Sequence, residues 1–130
     1  MNNKKIGSNF EKEFCELLSK KGYWVHFLQP AANGSQPFDI IAIASGIVKC
    51  IDCKTVDGDR FPLSRVEDNQ YLAYLKLSES LSGHSMFFAL KHGDSIILVP
   101  AGILMEARKS GVKSISIKYL EEQFETYNLK

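Results

Sequence analysis

Two aspartates and a lysine, Asp39, Asp52 and Lys54, stand inside or beside runs that otherwise read as buried strand in QPFDIIAIASGIVKCIDCKT. Ionised side chains are costly in an apolar sheet unless they are paired, hydrated or bound to a metal. Asp52 and Lys54 are two residues apart, so a strand projects both from one face while Ile51, Cys53 and Thr55 take the other. Asp39 opens the preceding strand, just after a proline that can cap a sheet edge, and a hairpin hinged at Ser45-Gly46 folds it back toward the other two. Counting outward from that turn places Asp39 opposite Lys54 or just past it. Twist or a one-residue bulge would then bring the two carboxylates close. Two acids beside one ammonium group make a hard, oxygen-lined site that suits magnesium or manganese. Phosphodiester cleavage uses this combination: carboxylates hold a divalent ion that activates water, and a lysine meets charge developing on the phosphorane. On these residues alone, a salt bridge at the frayed end of a hairpin is the simpler account, because a DxK triplet is short and common.

The elements that must position these residues follow from periodicity. Ile6, Phe10, Phe14, Leu17 and Leu18 recur at helical spacing, which predicts a helix from about Ile6 to Lys21 stopped by Gly22. YWVHFL reads as a short strand closed by the turn-rich QPAANGSQP, and strands over 38–44 and 47–55 form the hairpin. VDGDRFPLSR reads as a polar loop before a helix over about 66–80. HSMFFALK and SIILVP are two further strands joined by a tight turn at Lys91 to Asp94. Pro100 opens a short helix ending near Gly111, and the tail holds an extended KSISIK and an amphipathic YLEEQFETY. This order predicts one α/β domain over residues 1–130, a mixed sheet of about five strands flanked by helices.

Composition narrows the classes. With 130 residues, 45% hydrophobic and 24% charged, the chain can bury a core without disulfide staples. A net charge of +1 leaves nucleic-acid binding to local basic patches. No apolar run is long enough to span a bilayer, and MNNKKIGSNF lacks the apolar core of a signal peptide, so a cytoplasmic location is expected. CIDC has the CxxC spacing of zinc or redox sites. It has no second Cys or His pair at ligand spacing, and a strand would point Cys50 and Cys53 to opposite faces, so reduced core cysteines are expected. His26, His84 and His92 have no acid at a useful spacing for general-base work.

Beyond the triplet, the chain resembles the PD-(D/E)xK nuclease superfamily, and within it the Holliday-junction resolvases of the archaeal and RecU types. The matching residues are Gly7, Phe10 and Glu11 in GSNFEKEF, Pro37 and Asp39 in PFD, Asp52 and Lys54 in DCK, Gln70 in EDNQ, and the later MFFALKHGDSIILVP. The resemblance runs from about Gly7 to Pro100 and implies a restriction-endonuclease-like fold. It also implies a magnesium-dependent endonuclease, with manganese as substitute, that cuts branched DNA during recombination and leaves 5′-phosphate and 3′-hydroxyl ends. By resemblance, Asp39 and Asp52 are metal ligands and the carbonyl of Cys53 completes the inner shell. Lys54 acts on the attacking water or the transition state. Glu11 is an additional acid reaching the metal directly or through water, and Gln70 lies near the metal. Asp52 stands where the resolvases usually have glutamate, and only QPAANGSQP occupies the place of a longer projecting segment in RecU-type enzymes.

Lys4 and Lys5 before the first helix, and Arg60 and Arg65 flanking the loop after the DCK strand, are candidate phosphate contacts. Two coordinated incisions at a four-way junction imply a symmetric homodimer, with the apolar strand MFFAL and the last helix, with Leu120 and Phe124, as candidate surfaces. Rival readings are a related nuclease of restriction or flap type, and a nuclease-like module that binds DNA without cutting it.

Overall fold

Phe10, Phe14 and Leu18 form one buried stripe of α1 (Asn3–Lys20), and that stripe sets the helix on a sheet. The computed structural model describes residues 3–28, 36–80 and 85–129, with side chains from Asn9 onward. After α1 the chain forms β1 (Trp24–Phe27), then the hairpin β2 (Ile40–Ala44) and β3 (Ile47–Thr55). Ser45 and Gly46 both take positive φ, 50° and 79°, as the tight turn between twisted antiparallel strands requires. Ala44 pairs with Ile47, and the ladder runs from there to Ile40 opposite Ile51. Extending it one step sets Asp39 beside Asp52, two residues short of the Lys54 position expected from counting.

The hairpin leads into β4 (Arg60–Pro62), a 3-10 turn (Leu63–Arg65) and α2 (Asp68–Ser80), which crosses back to β5 (Met86–His92). β5 lies parallel to β3, as a helical crossover permits, and pairs antiparallel with β6 (Ser95–Pro100). The chain closes with α3 (Ala101–Lys109), β7 (Ser114–Ser116), α4 (Ile117–Gln123) and β8 (Glu125–Asn128). The main sheet has six strands in the order β1-β2-β3-β5-β6-β8, and β4 pairs with β7 in a separate ribbon.

Alternation sorts the core into two layers. On one face Ile40, Ile51, Ala89 and Ile96 meet the α1 stripe; on the other Phe88, Leu90, Ile97 and Val99 meet residues of the 3-10 turn, α3 and α4. Gly102 lets the two helices of this second face approach, since a Cβ there would lie 2.8 Å from the Tyr74 hydroxyl of α2.

Three local expectations are corrected. The polar loop over 56–65 contains β4, because Phe61 is fully buried and draws its neighbours into pairing with β7. YLEEQFETY divides between α4 and the edge strand β8, whose Tyr127 packs edge-on against Phe14 with ring centroids 5.6 Å apart. MFFAL and Leu120 are not surfaces for a partner: the first is a central strand, Leu120 is buried, and Phe124 packs against the same core. Large apolar side chains left exposed include Trp24, Ile43 and Leu72.

Candidate active site

The end of β3 carries the charges. Asp52 and Lys54 project from the same face, and Lys54 Nζ lies 3.0 Å from Asp52 Oδ2. Both side chains are nearly buried, at 9% and 10% exposure for Lys54 and Asp52. The Lys54 ammonium lies 5.7 Å from the ring centroid of Phe88, its diagonal neighbour on β5, so an aromatic face shields one side of the cation. Glu67, exposed just before α2, places Oε2 3.7 Å from the same ammonium. Glu67 escaped the sequence reading; its place three residues ahead of Gln70, at the start of a helix, was the available signal.

Asp39 is held from several directions. Its N–H donates to the Ile51 carbonyl at 2.8 Å and its carbonyl accepts from Leu28 N–H at 2.7 Å. Its Oδ2 accepts from the backbone N–H of Cys53 at 3.0 Å, so the carboxylate docks on β3 between Asp52 and Lys54. The ladder therefore slips by one residue at its end, and this slip aims the Asp39 side chain along the strand.

Electrostatics tie Glu11 to this pair. Its carboxyl is raised to about 7, first by burial and then by the charges of Asp39 and Asp52. Asp52 is also raised to about 7: burial dominates and Asp39 adds to it, while Lys54 and a hydrogen bond from Gln70 oppose. Three acids that repel one another around a single lysine form a site short of positive charge. Gln70, 2% exposed, accepts from Glu67 N–H at 3.0 Å and donates from Nε2 to the Pro37 carbonyl at 3.1 Å.

The donor set fits a hard divalent cation. Asp52 Oδ2 is buried, and the Lys54 ammonium at 3.0 Å is the contact that a bound cation could replace. Among the described residues no group of three or more acidic, histidine or cysteine side chains closes into a metal cage. Magnesium does not need one, because it is commonly bound by one or two carboxylates with water and substrate oxygens filling the shell. The cysteines do not compete. Burial raises the thiols of Cys50 and Cys53, and raises Cys15 to about 11, so all three remain protonated, as free cysteines.

Of the basic candidates, Arg65 donates to the Thr55 carbonyl at the exit of β3 and lies over the Phe61 ring, close to the site and exposed. Arg60 is exposed on the β4–β7 ribbon and is occupied by Ser114, donating to its Oγ at 2.7 Å and its carbonyl at 3.0 Å. Lys4 and Lys5 fall in the first turn of α1, and their side chains lie outside those described.

A hairpin end bearing Asp39 and the Asp52-x-Lys54 pair, faced by a helix carrying Glu11, defines a nuclease of the PD-(D/E)xK type. A profile described as archaeal Holliday junction resolvase (Hjc) matches residues 2–128, and the chain belongs to that family. It is 27% identical over 120 residues to the crossover junction endodeoxyribonuclease Hjc of Methanocaldococcus jannaschii, covering 88% of this chain and 84% of that protein. The fold is similar to that of Archaeoglobus fulgidus Hjc, a Holliday junction resolvase from an archaeal hyperthermophile. That match has a TM-score of 0.67 and 18% identity over 91% of this chain and 93% of the other.

Proposed function

We propose that this chain is a magnesium-dependent endodeoxyribonuclease that cuts four-way DNA junctions as a homodimer. The observation that carries the reading is the buried Asp52 oxygen, met by the Lys54 ammonium at 3.0 Å, beside an Asp39 carboxylate docked on Cys53 N–H. Asp39 and Asp52 would hold the ion, with the Cys53 carbonyl and Glu11 as further oxygen donors. When bound, the ion supplies Lewis acidity and lowers the pKa of water. With an ion on Asp52, Lys54 would be free of its pairing and would present its ammonium to the attacking water and the phosphoryl oxygens, where negative charge develops. The Phe88 ring and the surrounding burial hold that ammonium in place. Arg65, and Lys4 and Lys5 on the first turn of α1, contact phosphates flanking the scissile bond; Arg60 reaches one only by leaving Ser114.

The test compares a synthetic four-way junction with a flap and a linear duplex, in Mg2+, in Mn2+ and in chelator. The expected result is paired, symmetric nicks in the junction with either ion, little cleavage of the other substrates, and none in chelator. Equal cutting of linear duplex would replace the junction reading with a nuclease of other substrate choice.

A further inference from the structure

Among the described residues Gln70 is one of few buried polar side chains, at 2% exposure, and both ends of its amide are engaged. Its carbonyl end accepts the N–H of Glu67, the residue preceding α2, while the Gln70 N–H donates at 3.0 Å to the Glu67 carbonyl. This is half of a capping box, in which the third helical residue reaches back to the start of its own helix. The amide nitrogen donates to the carbonyl of Pro37, 33 residues earlier and two residues before Asp39, and Gln70 also hydrogen-bonds the Asp52 carboxylate.

We infer that Gln70 is a positioning residue, whose amide ties the first turn of α2 to the Pro37 carbonyl and so sets the Asp39 carboxylate against β3. This rests on the nuclease reading of the site. A capping role alone would be served equally by glutamate, which accepts the same N–H. Only a donor can also hold Pro37, and glutamine combines both functions in one planar group. The acceptor end is already taken by Glu67 N–H, so the amide is better built to brace the loop than to ligate an ion. Asp39 is the lever: Pro37 and Phe38 lead directly into it, and its Oδ2 must meet Cys53 N–H for the two aspartates to face one ion. α2 is itself fixed, through the close approach of Tyr74 to Gly102 on α3. The tether thus refers the open end of the hairpin to the helical layer.

The experiment follows the Cys53 amide by NMR in the metal-free, DNA-free protein, in the wild type, Gln70→Glu and Gln70→Met. Gln70→Glu keeps the acceptor and loses the donor; Gln70→Met loses both. The expected result is an upfield shift of the Cys53 amide proton and about tenfold faster hydrogen exchange in both variants. Amides of the first turn of α2 should stay protected in Gln70→Glu and lose protection only in Gln70→Met. A parallel calorimetric titration with Mn2+ should show about tenfold weaker binding in Gln70→Glu, the size of a lost supporting contact at a metal site. A wild-type Cys53 amide in both variants would overturn the inference, as would tighter Mn2+ binding in Gln70→Glu, the mark of a direct ligand. Should Gln70→Met not fold, Gln70→Glu decides alone. Because the amide signal needs neither metal nor cleavage, failure of the nuclease reading, seen as no junction cutting by the wild type, is distinguishable from failure of the tether.

Discussion

β3 and β5 lie side by side and parallel, with Asp52 opposite Phe88 and Lys54 opposite Leu90, and they bury these rows to a similar depth. Asp52 is 7% exposed and Phe88 0%, yet one row is ionic and the other apolar. β5 follows the ordinary logic of a central strand, apolar on both faces because both faces are covered. β3 breaks that logic at its end, where α2 arrives by its first turn and brings Glu67 to 3.7 Å from Lys54. An ion pair buried this way is no gain in stability over apolar groups of similar volume. The difference between the strands marks where stability has been set aside for chemistry.

The sharpest way to break the comparison is Asp52→Asn. It should lower junction cleavage at saturating Mg2+ by about 10³–10⁴-fold, the scale of losing a group that acts with its neighbours as a unit. Because it leaves the nearly buried Lys54 ammonium without its partner, it should also lower stability, and its cleavage is compared per folded molecule. Leu90→Ala, in the same row of β5, should instead lose about 2–5 kcal/mol in denaturant unfolding, with its cleavage tracking the folded fraction. Replacing the pair with Asp52→Leu and Lys54→Met makes β3 resemble β5. That double variant should be inactive and equal to or more stable than the wild type, by up to about 4 kcal/mol.

The smallest effect is in pH. Glu11 and Asp52 have folded-state values of about 7, above their ordinary 4.5 and 3.8. The folded state therefore binds more protons than the unfolded state between those limits, and stability falls as pH rises through that window. Metal-free protein should lose stability from about pH 4 to pH 7, and saturating Mg2+ should offset the loss at the upper end. Glu11→Gln should flatten the curve; an unchanged slope would mean that these carboxyls are not desolvated.

The common face of Asp52 and Lys54 was legible because strand side chains alternate strictly, and α1 because its apolar stripe is strong. The expected partner of Asp39 was off by two residues. The two-residue turn fixes Ala44 against Ile47, and the slip that docks Asp39 on Cys53 N–H depends on side-chain geometry that no local pattern encodes. β4 and β8 were missed for a related reason: each is short and forms only because a distant strand offers an edge. Glu67 was legible only as a helix start, and the Pro37 carbonyl not at all, because their roles come from α2 meeting the hairpin across the chain. Chemistry-bearing residue types could be read in sequence, whereas the contacts that aim them could not.

A crystal of the metal-free protein soaked in Mn2+, with anomalous scattering locating the ion, tests the central claim most directly. The account predicts one strong peak bonded to oxygens of both Asp39 and Asp52, with the Lys54 ammonium displaced from its 3.0 Å contact. An ion bound elsewhere at saturating Mn2+, with the Asp52–Lys54 pair intact, would contradict it.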